Sequence, residues 1–514
     1  MPSYIISGKT TTPRTVSGDS QYVYVGTSGT IEVDGAASAI TTKAANTVYN
    51  YGLLEADAAT IKSSDTPTVQ NYETGTIRSK SSDALRVTNL DGGLRLTNQG
   101  LMDGKSNGVS VNASSSLSSS ITNYAGAKIL GRTGSGIDVE HTATGTMQVL
   151  NYGKTVGLQE GVNFEGDESA RSYVYNYDGG EIRSAGTAVD GSNGFDYVAN
   201  YGKIQDTAAG GAAVAMRGGN DSLVNKGTII GDVKMGSGDD YYYGAGEVTG
   251  RLMGGAGDDV FSVLFSQQKV VGGTGIDTVY SSASYQLSDA STENLWGQGS
   301  ENIRLVGNSS DNMITGNKGD NKIFGLDGKD SLNGSYGDDD LYGGNGRDVA
   351  DYSWDNTALK ADLARGIAYS DKSGVDKLVD IESLNGGRGN DILKGDAGAN
   401  TLKGGYGNDT IAGRGGNDRI NGGEGNDMLS GNAGADVFVF ADKFGDDVVR
   451  DFQVGQPGEK IHLAGVDGID NFADLKQYHL SDSKGDALIE DDFGNSILLE
   501  GVSVDQLSAG DFIF

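Results

Sequence analysis

From Gly386 the chain reads GGRGNDILK, GDAGANTLK, GGYGNDTIA, GRGGNDRIN, GGEGNDMLS and GNAGADVFV, nine-residue units without a gap that end at Val439. A second run, from Gly307 to Asp351, reads GNSSDNMIT, GNKGDNKIF, GLDGKDSLN, GSYGDDDLY and GGNGRDVAD. Every unit opens on Gly, nearly all have Gly at position 4, most have Asp at position 6, and position 8 is apolar. Gly permits positive φ and close backbone approach, so the first six residues form a tight turn with carbonyls pointing inward. Positions 7 to 9 form a short strand whose middle side chain faces a core. That pattern predicts Leu393, Leu402, Ile411, Ile420, Leu429 and Phe438 inside. Two units make one coil, so residues 18 apart meet in neighbouring coils: Asp391 over Asp409, Asp409 over Asp427, Asp418 over Asp436 and Asp330 over Asp348. Asp339 holds the same position of its unit. Stacked carboxylates repel unless a cation lies between them. Carboxylates and carbonyls in a flexible loop form an oxygen-only cage, which suits Ca²⁺ better than the strict octahedron of Mg²⁺. Asn312, Asn321 and Asn400 take position 6 in their units, which predicts weak or absent sites there.

A looser form of the same turn lies upstream, at Gly218-Gly219-Asn220-Asp221, Gly236-Ser237-Gly238-Asp239-Asp240, Gly254-Gly255-Ala256-Gly257-Asp258-Asp259 and Gly272-Gly273-Thr274-Gly275-Ile276-Asp277. The last Asp recurs after 19, 19 and 18 residues, one such loop per coil, so calcium is expected along a single edge. Leu223, Tyr242, Phe261 and Val279 fall at the inward position. The candidate metal ligands are therefore Asp221, Asp240, Asp259, Asp277, Asp330, Asp339, Asp348, Asp391, Asp409, Asp418, Asp427 and Asp436.

The nonapeptides resemble the calcium-binding repeat of RTX (repeats-in-toxin) proteins. The resemblance implies a parallel β-roll with several Ca²⁺ ions held between successive turns. Residues 440–514, down to the closing Asp511-Phe512-Ile513-Phe514, resemble the C-terminal region of RTX proteins exported by type I secretion. That route reads an uncleaved C-terminal signal, which matches a start, Met1 to Lys9, without the basic and apolar blocks of a signal peptide. The segment also caps the last coil, with strands expected at Phe452–Val454, Lys460–Leu463 and Ser496–Glu500 and a hairpin turn at Asp491-Asp492.

Composition agrees with calcium as the partner. The 514 residues hold 83 Gly, 4 Pro and no Cys, with a net charge of −31. So little Pro without a Gly-X-Y triplet excludes collagen, and the absence of Cys removes disulfides, Cys-based zinc sites and thiol catalysis. Three scattered His leave no histidine metal cluster. Residues 1–215 carry 21 acids against 15 bases and the rest of the chain 49 against 24, so the acidity is concentrated where the repeats are. This balance disfavours nucleic acid and anionic membranes. No stretch approaches the ~20 apolar residues that span a bilayer.

The first 215 residues repeat differently. An apolar residue precedes Asn, often with Tyr next, at Asn50-Tyr51, Asn71-Tyr72, Asn89, Asn123-Tyr124, Asn151-Tyr152, Asn176-Tyr177, Asn200-Tyr201 and Asn225. From Asn123 the spacing is 28, 25, 24 and 25 residues, one coil of a larger parallel β-helix, expected to be right-handed. Asn at each corner can bond its amide to the Asn of the next coil as an internal ladder. The Tyr column following it reads either as stacking within the solenoid or as an exposed aromatic stripe for glycan or neighbour contact.

Catalytic readings find less. No His supplies His-Glu-x-x-His. Gly104-Lys105-Ser106-Asn107-Gly108 has the letters of a hydrolase elbow but sits in a helix-free repeat. A polysaccharide lyase or epimerase on the β-helix is the alternative function, with His141, Asp138, Glu140 and Arg132 the nearest approach to its chemistry.

The expected fold is all-β, a parallel β-solenoid: cap 1–46, β-helix 47–215, single-edged calcium region 216–306, β-roll 307–351, connector 352–385, β-roll 386–439, and C-terminal cap with export signal 440–514. The expected function is that of a secreted, non-enzymatic calcium-binding protein of the cell surface, structural or adhesive in a surface layer, matrix or biofilm. Self-association into a lattice or filament and contact with surface glycan or lipopolysaccharide are the expected partnerships.

Overall fold

The structure, a computed structural model, describes residues 4–514 except 17–20, 44–45, 65–66, 91, 114–116, 142–143, 209 and 265. By internal contacts it divides into two units, residues 1–279 and 280–514.

In the first unit each coil supplies a short strand to each of three parallel sheets. One coil runs Ser119–Asn123, Lys128–Gly131 and Ile137–His141, and the next Thr146–Asn151, Lys154–Val156 and Glu160–Gly166. Register is kept residue for residue, so the apolar positions form columns through the core. Val23, Val48, Val69, Leu96, Ile121, Val149, Val174, Val198 and Leu223 pair in sequence along one sheet, all nearly inaccessible to solvent. Ile31, Leu54, Ile77, Met102 and Ile129 do the same in the second. Burying each such side chain stabilises the coil by about 1.5–3 kcal/mol. The described residues between 4 and 42, placed by the sequence within an N-terminal cap, already carry this pattern, Tyr4–Ile6 pairing with Tyr22–Val25 and Arg14–Val16 with Ile40–Thr42.

The corner after the first sheet holds the asparagine ladder. Nδ2 of Asn50 donates to Oδ1 of Asn71 at 2.8 Å, and the chain of bonds continues through Asn98, Asn123, Asn151, Asn176 and Asn200 to Asn225 at 2.7–2.9 Å. Asn98, not Asn89, is the third rung: the strand Leu85–Leu90 belongs to a different sheet, and the side chain of Asn89 lies outside the described residues. The ladder stops where Gly244 takes the Asn position opposite Asn225, leaving room for the hydroxyl of buried Tyr242. Beside the ladder the tyrosine rings stack, Tyr51 on Tyr72 at 3.9 Å, and Tyr124, Tyr152, Tyr177 and Tyr201 in turn at 4.2–6.3 Å.

Beyond residue 215 the coils shorten because the second sheet fades. Its strands shrink to Thr228–Ile230 and Glu247–Val248, while the third sheet lengthens into the Gly-rich loops at Asp232–Ser237, Arg251–Ala256 and Lys269–Thr274.

The second unit is built on two sheets. Ile314, Leu332, Ala350, Leu384, Leu402, Ile420, Phe438 and Ile461 form the buried column of one, and Ala361, Leu393, Ile411, Leu429 and Val449 part of the other. In the first sheet Val349–Asp351 pairs directly with Ser383–Asn385. In the second, residues 352–385 insert Gly374–Val379, Ile367–Ser370 and Lys360–Asp362 as an antiparallel set between Asp340–Gly346 and Ile392–Lys394. The C-terminal segment adds Lys460–Gly465 in parallel and the antiparallel strands Leu480–Ser483, Asp486–Glu490 and Ser496–Leu499. Residues 452–454 are not a strand; that strand is Asp446–Val449, and Asp451 instead accepts the backbone N–H groups of Gly431 and Asn432.

Candidate metal centre: the aspartate columns

Every position-6 side chain points inward and sits under its counterpart in the adjacent coil. Oδ1 of Asp409 accepts the backbone N–H of Asp391 at 2.7 Å, Asp427 that of Asp409 at 2.7 Å, and Asp447 that of Asp427 at 2.8 Å. On the other edge Asp418 accepts from Asn400 and Asp436 from Asp418, both at 2.8 Å. In the first array Asp348 accepts from Asp330, Asp330 from Asn312, and Asp339 from Asn321. In the first unit Asp240 accepts from Asp221, Asp259 from Asp240 and Asp277 from Asp259, at 2.7–2.9 Å. All twelve candidates are thus placed in inter-coil columns and buried.

One oxygen of each carboxylate is consumed by that bond. The other, Oδ2, is buried without a hydrogen-bond partner among the described residues at Asp221, Asp240, Asp259, Asp330, Asp339, Asp348, Asp409, Asp418, Asp427, Asp436 and Asp447. Asp391 differs, since Gly387 N–H donates to its Oδ2. A dry unpaired carboxylate oxygen is costly, and repeated along a column it calls for a cation. The opening Gly of each unit makes the room: a Cβ on Gly404 would collide with Oδ2 of Asp409 and with the carbonyl of Gly422 one coil on. Carboxylate and carbonyl oxygens therefore converge beside a backbone stripped of side chain, which fits a hard oxygen-seeking ion such as Ca²⁺. Among the described residues no three His, Asp or Glu side chains gather at one point. An ion held here would need backbone carbonyls among its ligands.

Burial also raises the carboxyl pKa values, with neighbouring carboxylates adding to it and the backbone N–H bond opposing. Asp240, Asp259 and Asp330 are pushed up to about 7, Asp339, Asp409 and Asp447 to about 8, and Asp221 to about 9.

Where Asn takes position 6, the amide satisfies itself. Nδ2 of Asn312 donates to the carbonyl of Thr292, that of Asn400 to the carbonyl of Glu382, and that of Asn321 to Oδ1 of Asn317. These coils hold N–H donors where the others hold a bare oxygen.

The columns extend past the expected residues. Asp221 accepts from Asp196 N–H, Asp376 of the connector accepts from Asp339, and Asp447 from Asp427. Each of these three stands in Gly-x-Asp-x-apolar (Gly194 to Val198, Gly374 to Leu378, Gly445 to Val449), a signal visible without the rest of the nonapeptide. Glu382 and Glu459 reach in from non-repeat segments to accept the N–H of Asp348 and Asp436. A second, exposed ladder uses position 5 in the opposite direction: Asn390 Oδ1 accepts from Asn408 N–H and Asn408 Oδ1 from Asn426 N–H.

Of the lyase-like constellation, Arg132 is committed elsewhere. Arg132 pairs with Asp103 through two bonds at 2.5–2.6 Å, whereas Asp138 is held by the amides of Asn107 and Asn163. The side chain of His141 lies outside the described residues. Among the described residues no helix is long and apolar enough to cross a membrane.

Columns of carboxylates inside stacked Gly-rich turns define a calcium-binding β-solenoid. Residues 304–332, 315–350, 380–411 and 403–438 match the family model of the RTX calcium-binding nonapeptide repeat, so these stretches of the chain are RTX repeats. RTX repeats bind calcium, several ions per chain, and proteins built on them are typically secreted. No curated relative matches the chain in sequence. Among solved structures it is similar to the extracellular lipase LipA from Serratia marcescens, at 22% identity over 45% of each chain with a TM-score of 0.22. The match spans less than half of that protein.

Proposed function

We propose that this protein is a structural or adhesive component of the cell exterior, exported by a type I route and folded there by calcium. The carrying observation is the row of buried Oδ2 atoms, which stay poorly accommodated until divalent ions fill the columns. Asp221, Asp240, Asp259, Asp277, Asp330, Asp339, Asp348, Asp391, Asp409, Asp418, Asp427 and Asp436 are the proposed acidic ligands. In cytosol poor in free Ca²⁺ the acidic half of the chain repels itself and remains export-competent, and extracellular modules bind at ~10⁻⁴–10⁻³ M, which suits a switch on exit. The role is assembly into a surface layer, matrix or biofilm, with residues 440–514 serving as cap and export signal. The lyase reading loses support from the commitment of Arg132 to Asp103. Circular dichroism of the full chain with calcium and with a chelator tests the folding step: an unchanged spectrum refutes it. Light scattering and electron microscopy during a calcium titration test assembly, for which ordered polymer is expected and a compact monomer counts against.

A further inference from the structure

The outward side of the first unit's tyrosine-bearing sheet holds more aromatic surface than its stability requires. The core columns are already filled by Val149, Val174 and Val198, yet Tyr173, Tyr175, Phe195 and Tyr197 alternate with them on the opposite side, half-exposed. Phe195 and Tyr197 lie 6.1 and 6.2 Å from Tyr173, and Tyr197 lies 5.6 Å from Tyr175. Tyr175 is 6.2 Å from Tyr177, which joins them to the corner stack. The rings form one continuous cluster, tilted by 42–57° against one another except where Tyr175 stacks on Tyr177. Contiguous exposed apolar surface of this kind marks a binding face.

The same side changes character one coil earlier. Arg95, Ser120 and Gln148 stand in register with Tyr173, and with Thr97 and Thr146 they line a groove of about 610 Å³ walled by Tyr173 and Tyr175. Flat rings beside a strip of hydroxyl, amide and guanidinium groups suit a sugar chain, whose C–H faces stack on aromatics while its hydroxyls take hydrogen bonds. Neighbouring coils are ~4.8 Å apart, a spacing close to the length of one sugar residue.

The rim sets the charge of the occupant. Lys128 and Lys154 are paired in register on the adjoining strands, with Lys203 two coils further, and the Lys226 ammonium lies 5.6 Å over the Tyr201 ring. Arg95 and Arg171 project from the platform sheet itself. Of the carboxylates nearby, Glu181 is bound to Lys154 at 2.8 Å, and Asp167 and Glu168 line a pocket with Phe195. In a chain of net charge −31 this is a local surplus of cations.

We infer that the Tyr173–Tyr175–Tyr197 platform and its groove bind an acidic polysaccharide, rings against sugar faces and lysines against its carboxylates. The inference deepens the adhesive reading above and rests on it. Isothermal titration of the calcium-loaded full chain with short, non-gelling oligogalacturonates, and with uncharged cello-oligosaccharides of equal length, is the test. The wild type is expected to favour the acidic series. Tyr173→Ala/Tyr197→Ala should weaken binding by about ten-fold or more, and Lys154→Gln/Lys203→Gln should erase the preference for acid without lowering the calcium-loaded melting temperature. No binding, equal binding of both series, or an unaffected tyrosine variant overturns the inference. Sugar-free self-association abolished by that variant also overturns it, in favour of a second copy as occupant. Loss of calcium-induced folding, by contrast, would strike the preceding reading and not this platform.

Discussion

At the residue scale, the difference between a metal-dependent and a self-sufficient coil is one atom. Asp409 and Asn400 occupy equivalent positions, and each accepts one bond from backbone through Oδ1. The second terminal atom is a bare oxygen in the first and an amide donating to the Glu382 carbonyl in the second. Asp409→Asn should therefore remove one bound calcium and make the chelated protein more stable. Asn400→Asp should add a calcium and destabilise the chelated protein by about 1–3 kcal/mol, the cost of a buried unpaired polar group. Metal counting after equilibrium dialysis, with melting curves in chelator, checks both; unchanged stoichiometry in either variant contradicts the assignment. Gly404→Ala keeps every carboxylate but puts a methyl group where Asp409 Oδ2 and the Gly422 carbonyl meet. It is expected to lose the same ion as Asp409→Asn without the gain in chelated stability.

At the scale of the element, the coils are held together by two different means, an asparagine ladder up to Asn225 and aspartate columns from Asp196 onward. In the first unit, Asn151 receives a bond from Asn123 and gives one to Asn176, all three buried. Asn151→Ala strands an amide above and an oxygen below, and denaturant titration should show a loss of about 2–4 kcal/mol that is the same with calcium and with chelator. A calcium-dependent loss would mean that the ladder and the metal columns are not separate devices. Much of this was readable beforehand, because coil-long repeats force identical residues into contact: the inward apolar column, the aspartate columns and most of the ladder follow from spacing alone. The failures sit where spacing drifts. Asn98 was hidden because the coils around it are 27 and 25 residues after one of 21, and Val87-Thr88-Asn89 offered a false copy of the motif in another sheet. Asp376 and the antiparallel strands around it were hidden because the connector rebuilds one wall of the roll from residues with no nonapeptide period.

At the scale of the whole molecule, the chain's −31 charge and its raised carboxyl pKa values make protons and calcium competitors for the same oxygens. An unfolded Asp titrates near ~3.9, whereas burial holds Asp240 and Asp330 at about 7 and Asp339 and Asp409 at about 8 in the metal-free fold. Between those values the folded chain binds more protons than the unfolded one, so stability without metal falls as pH rises through this window. The chelated protein is accordingly expected to keep its β-roll near about pH 5 and to lose it by about pH 8. With calcium the sign reverses, because the ion requires the ionised carboxylate: affinity should climb over the same range. Binding at neutral pH should release protons, which appear as a calcium-binding heat that depends on the ionisation enthalpy of the buffer. Chelated protein that grows more stable from pH 5 to pH 8, or a binding heat identical in all buffers, would show that these carboxylates are already ionised in the empty columns and that the fold accommodates their charge without help.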